Sequence, residues 1–91
     1  MVDERRKLFD AYTRLADTLI LRGKAEITFY CEGGGEVSFL AELPKLHGHL
    51  AVRDKNGELL IATDNPVEGF EKLWKHVERE KGCRVTATLI G

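Results

Sequence analysis

The stretch that decides the fold runs from Lys24 to Thr63, KAEITFYCEGGGEVSFLAELPKLHGHLAVRDKNGELLIAT. It divides into four short runs with the period of two expected of strands that bury one face. In the first, Lys24 to Cys31, the side chains of Ala25, Ile27, Phe29 and Cys31 alternate with Glu26, Thr28 and Tyr30. Glu32-Gly33-Gly34-Gly35 makes a turn, because glycine accepts positive φ without a steric cost. Glu36 to Leu43 is the second strand, with Val37, Phe39, Ala41 and Leu43 inward and Leu40 outward. Pro44 ends it, since proline gives no donor to a ladder. Leu46 to Arg53 is the third strand, with Leu46, Leu50 and Val52 opposite in phase to His47, His49 and Arg53. Asp54-Lys55-Asn56-Gly57 signals a hairpin, and Glu58 to Thr63 is the fourth strand. Leu59, Leu60 and Ile61 run together there, so the facing of that strand stays open.

Helical patterns flank the meander. From Asp3 to Leu21, Leu8, Tyr12, Leu15 and Leu19 fall on one line, with Phe9, Ala16 and Ile20 widening the stripe. Asp3 is the expected N-cap and Gly23 the left-handed residue after the last turn. The second helix starts at Asn65-Pro66-Val67-Glu68, which has a cap, a proline at the first helical position and a capping-box spacing. Val67, Phe70, Leu73, Trp74 and Val77 form its apolar stripe, and Gly82 ends it after Lys81. Arg84 to Ile90 is a fifth strand, with Val85, Ala87 and Leu89 expected inward. The order α-β-β-β-β-α-β predicts one α+β domain over residues 1–91. It is a two-layer sandwich of two helices on a four- to five-stranded antiparallel sheet.

Ninety-one residues suffice for one thin core, burying roughly 60–65% of the unfolded surface. Charged residues make up 32% of the chain, against about 25% ordinarily. An excess in both signs points toward ion-pair networks of the thermophile kind. The net charge is −1, too low for a protein that neutralises duplex DNA. The two cysteines, Cys31 and Cys83, exclude a disulfide scaffold. They are expected as separate reduced core side chains in a cytoplasmic protein, a single bridge being the alternative. No membrane span is expected, since no run approaches about 18 apolar residues.

The candidate site is the sheet face turned away from the helices. It is expected to collect Thr28, Tyr30, Leu40, His47, His49, Arg53, Arg84, Thr86 and Thr88. Rings and guanidiniums stack on bases while cations hold phosphates, so this set suits single-stranded DNA, or RNA. Lys24 and Arg84 would stand at its edge. The competing reading takes the same face, or the last strand, as a protein-interaction surface, with Leu40 and Ile90 contributing burial.

The other motifs carry less. His47-Gly48-His49 puts two imidazoles on one face, short of the three or four ligands of a zinc site, so no metal or other cofactor is expected. The glycine turn lacks the helix N-terminus and lysine of a phosphate loop. Trp74 and Phe70 are core residues at helical spacing. Lys72, Lys75 and Arg79, interleaved with Glu68, Glu71 and Glu78, make a solvated helix face. Ser38, the only serine, has no base assignable by spacing, so no enzyme is expected, and a small enzyme is the third reading behind the two binding ones.

The element order resembles the ThermoDBP-related proteins, small single-stranded DNA-binding proteins of hyperthermophilic archaea. Leu8 to Leu21 would be their long first helix, Lys24 to Thr63 the four-stranded sheet and Pro66 to Lys81 the closing helix. The resemblance implies DNA binding in an apolar and aromatic cleft of the sheet with a basic rim, and homo-oligomerisation. Tyr30, Leu40, His49 and Arg53 fit the cleft; Lys24 and Arg84 fit the rim. The near-zero net charge and the extra last strand depart from that pattern.

Overall fold

A computed structural model describes residues 3–43 and 50–91. The elements are α1 (Asp3–Arg22), β1 (Lys24–Cys31), β2 (Glu36–Glu42), β3 (Leu50–Arg53), β4 (Leu59–Thr63), α2 (Pro66–Lys81) and β5 (Val85–Ile90). The strands form one antiparallel sheet in the order β4-β3-β2-β1-β5. This is the expected α+β order. The sheet has β4 and β5 as its edges, so the last strand does present a free side.

Ala25, Ile27 and Phe29 of β1, Phe39 and Ala41 of β2, and Leu50 and Val52 of β3 face the helices. They meet Ala11, Leu15 and Leu19 of α1 and Phe70, Leu73, Trp74 and Val77 of α2. Tyr12 packs on this core with its ring 6.3 Å from that of Phe70. Two expectations fail at the margins. Phe9 and Ile20 are 65% and 75% exposed, and Val67 is 49% exposed. The first helix turns Ala11 rather than Phe9 inward.

The local signals work as expected. Asn65 Oδ1 accepts from the Glu68 amide at 3.2 Å, Pro66 opens α2, and Gly82 closes it in the left-handed region. The Gly23 amide donates to the Leu19 carbonyl at 2.8 Å with φ 78°, closing α1. In the hairpin between β3 and β4, Asp54 Oδ1 accepts from the amides of Asn56 and Glu58, both at 2.9 Å.

Two bulges rewrite the expected facing. In β5, Tyr30 pairs with Ala87 and Cys31 with Val85, leaving Thr86 as the extra residue. An extra residue in one strand reverses its phase beyond that point. So Val85 is buried as expected, but Thr88 and Ile90 turn to the helix side, opposite Phe29 and Ile27. Ala87 and Leu89 turn outward instead of inward. In β4, Val52 pairs with Ile61 and Arg53 with Leu59, so Leu60 is the extra residue. Leu59 faces outward and Ile61 inward, and Leu60 also packs partly on the core.

The cysteines also depart from expectation. Cys31 and Cys83 form a disulfide with Cα atoms 5.7 Å apart, inside the range that a bridge needs. The Glu32 amide bonds the Arg84 carbonyl at 2.8 Å, and this ladder contact draws residue 83 alongside residue 31.

Gly69 sits buried on α2 over the β3–β4 pair. A Cβ there would lie 2.5 Å from Thr63 Cγ2 and 3.3 Å from Leu50 Cδ2. Gly69→Ala would gain about 1 kcal/mol of helix propensity but cost about 1–3 kcal/mol in overpacking. The expected net result is a lower melting temperature. Thr63→Ser in the same chain should recover it, because the offending methyl goes while the hydroxyl that accepts from the Asn65 amide stays. Thermal melts of the two variants check this; a stabilised Gly69→Ala would contradict the close packing.

Candidate functional site: the open sheet face and a basic groove

The strand register places the outward side chains in rows. One row, from edge to centre, is Ala62, Ala51, Glu42, Lys24. The next is Leu59, Arg53, Leu40, Glu26. Then come Ser38, Thr28, Leu89, and finally Glu36, Tyr30, Ala87. Tyr30, Leu40, Arg53 and Lys24 are therefore gathered on the face where they were expected. Arg84 lies just before β5 rather than within it. Thr88 is on the helix side, and His47 and His49 lie outside the described residues.

The chemistry of the face differs from a cationic stacking platform. Glu26, Glu36 and Glu42 stand among Lys24 and Arg53. Arg53 Nε lies 3.6 Å from Glu42 Oε1, and its Nη1 donates to the Gly57 carbonyl at 3.2 Å. The guanidinium is thus already held by a carboxylate and a turn. Thr28 and Ser38 share a hydroxyl hydrogen bond of 2.9 Å, which occupies the only serine and places no base beside it. Leu40, Leu59 and Leu89 are 38%, 48% and 58% exposed on this face. Leu89 is a member that strict alternation hid, since only the bulge at Thr86 brings it there.

A second feature lies at the other side of the molecule, between α2 and the edge strand β4. Here Leu60 and Ile61 form the floor of a groove of about 350 Å³, and Lys72, Lys75, His76 and Arg79 form its walls. Lys72, Lys75 and Arg79 belong to the helix face that the sequence predicts as solvated. With His76, their spacing of i, i+3, i+4, i+7 was the available signal, since it puts all four on one side of a helix. The missing half was the floor, which the bulge at Leu60 supplies. Between α1 and α2 a smaller apolar groove of about 210 Å³ is flanked by the exposed Phe9 and Val67.

Among the described residues, no group of three or more histidine, cysteine or carboxylate side chains gathers to hold a metal. No described helix is long and apolar enough to cross a membrane. No protein-family model, curated protein or solved structure matches this chain.

Proposed function

We propose that the chain is a binding module rather than an enzyme, and that it self-associates through the open sheet face. The observation that carries this is the mixture on that face. Three partly exposed leucines and Tyr30 are set among charges of both signs. Such a face can match a copy of itself about a two-fold axis, with Lys24 of one subunit meeting carboxylates of the other. Five strands spaced about 4.8 Å and roughly 20 Å long offer about 500 Å² per subunit, the scale of a weak, reversible interface. Dimerisation would cover the leucines with a second sheet, the aligned packing that sheets adopt.

The test is the mass of the protein in solution at low and high salt. A dimer at micromolar concentration that survives high salt is expected. Leu40→Glu combined with Leu89→Glu should give a folded monomer, with an unchanged circular-dichroism spectrum. A wild-type monomer at all concentrations would overturn the proposal.

A second reading is favoured by Tyr30, whose half-buried ring stands on the same face with the Lys24 ammonium on that strand. It is the single-stranded nucleic-acid reading, to which the likeness to the ThermoDBP-related proteins also leads. Anisotropy of labelled oligo-dT, with duplex DNA and a matched RNA, distinguishes the two. If this reading holds, Tyr30→Ala loses about 1–3 kcal/mol of binding to the single strand. No binding at low salt removes it. In either case the proposed location is the cytoplasm, where the Cys31–Cys83 bridge would be of the kind that proteins of hyperthermophiles carry.

A further inference from the structure

We infer that the groove between α2 and β4 binds a small phosphorylated organic molecule, its phosphate on the α2 cations and its apolar body on Leu60 and Ile61. The inference is independent of what the sheet face binds.

The cations are sorted by the fold. α2 carries acids and bases in similar number along its sequence, yet the groove is lined by Lys72, Lys75, His76 and Arg79 and, among the described residues, by no carboxylate. Three acids of the same helix, Glu68, Glu71 and Glu78, stand at the margin of the groove or beyond it rather than in its lining. Glu71 lies toward α1, in the groove it shares with Leu8 and Phe70. Glu78 accepts the Val85 amide at 3.0 Å and is committed to β5. Glu68 caps the start of the helix with Asn65. A pair-laced helix surface would mix the signs on every side. This one gathers cations in the groove and leaves Glu68 and Glu71 to reach Lys72 and Lys75 from its margin.

Two of the cations have partners, and neither pair is strong. Lys72 Nζ is 3.5 Å from Glu68 Oε1 and Lys75 Nζ is 3.7 Å from Glu71 Oε2, with three of the four side chains well exposed and Glu71 partly so. Exposed pairs of this type contribute about 0–1 kcal/mol. A phosphate with its several acceptor oxygens can displace them. Among the described residues Arg79 has no such ion pair, and its planar fork suits two phosphate oxygens at once. From Lys72 to Arg79 is two helical turns, about 10 Å, the scale of a diphosphate rather than of a long polyanion.

The floor decides the rest of the ligand. Inorganic phosphate would gain nothing from Leu60 and Ile61, whereas a base or other apolar ring would cover them. A volume of about 350 Å³ falls at the lower end of small-ligand pockets. Charged walls beside an apolar floor also concentrate the field that draws an anion in.

The experiment follows amide chemical shifts of the whole chain while ADP, pyrophosphate or adenosine is added to millimolar concentration. ADP is expected to shift Leu60, Ile61 and the α2 amides from Lys72 to Arg79, saturably. Pyrophosphate should bind the same cations more weakly, and adenosine more weakly still. Lys75→Glu and Arg79→Glu should each weaken ADP binding about tenfold or more, as expected for losing a hydrogen bond to a charged group. Lys81→Glu makes the same charge change on the same helix outside the groove and should leave binding nearly unchanged; melting curves confirm that all three variants fold. Absence of localised shifts with ADP would overturn the inference, as would equal loss in Lys81→Glu. A short oligo-dT that binds more tightly than ADP at these same residues would transfer the groove to a strand's phosphates and overturn the small-ligand assignment.

Discussion

Opening the Cys31–Cys83 bridge should lower the stability of the domain by about 4 kcal/mol. The two residues are 52 apart in sequence, and closing a loop of that length removes about that much chain entropy from the unfolded state. The loop contains β2, β3, β4 and α2, and its closure holds them beside β1 and β5, which lie outside it. For a domain of this size each kcal/mol moves the melting temperature by roughly 4–8 °C. The reduced protein should therefore melt about 15–30 °C below the oxidised one. Cys83→Ser is the cleaner variant, because Cys83 is less buried than Cys31. It should melt with the reduced wild type and be indifferent to reductant. Oxidised and reduced proteins that melt together would show that the bridge does not form or does not constrain.

That expectation also decides between two sources of stability. The charge content points to ion-pair networks, but the pairs Arg53–Glu42, Lys72–Glu68 and Lys75–Glu71 share no member and are partly or well exposed. Together they contribute less than the single covalent link, at about 0–1 kcal/mol apiece. Melting in high salt should shift little, while melting in reductant shifts much.

The interior of this fold was legible because its signals are local and periodic. Ile27 and Phe29 alternate with Thr28 and Tyr30 wherever the strand is regular, and Asn65-Pro66 starts a helix by its own chemistry. What escaped depends on contacts between distant segments. Nothing in the composition of Val85 to Ile90 marks Thr86 as a bulge, yet that one residue moves Leu89 to the open face and Thr88 to the other. The Leu59-Leu60-Ile61 run could not be phased for the same reason, because the extra residue is defined only by pairing with Val52 and Arg53. The cysteines meet only because β1 pairs with the chain after α2. The open face was found as a surface but misjudged as a charge. Glu26, Glu36 and Glu42 alternate with the core residues as regularly as Tyr30 does, and weighing them would have lowered the expected cation excess. The groove needed both an α2 stripe and a bulged partner strand, and only the stripe is visible in one dimension.

Replacing Phe29 by alanine should cost about 3–5 kcal/mol, the range for emptying a fully buried aromatic site. Phe29 is 0% exposed on β1, the strand between β2 and β5. Its ring lies 5.9 Å from Phe39 edge-on, 6.1 Å from Phe70 in a stacked arrangement and 5.9 Å from Trp74 edge-on. Each such pair adds about 0.5–1.5 kcal/mol beyond area burial. The cluster links the sheet to α2 through side chains that cannot collapse into one another, because Phe39 and Phe70 are anchored on different elements. Urea denaturation should show a lower midpoint with an unchanged slope, the mark of lost stability rather than an altered unfolded state. Phe29→Leu, which keeps most of the volume, should lose much less. A loss below about 1 kcal/mol in Phe29→Ala would mean that the cavity refills and that the cluster is looser than its geometry. Combined with Cys83→Ser, the losses sum to about 7–9 kcal/mol, against a total of about 5–15 for a domain. The double variant should be largely unfolded at room temperature. If it stays folded, either the bridge acts on the folded state as much as on the unfolded chain, or the two sites are coupled. Phe29 and Cys31 face the core from one strand, so measuring each single variant in the other's background separates these cases.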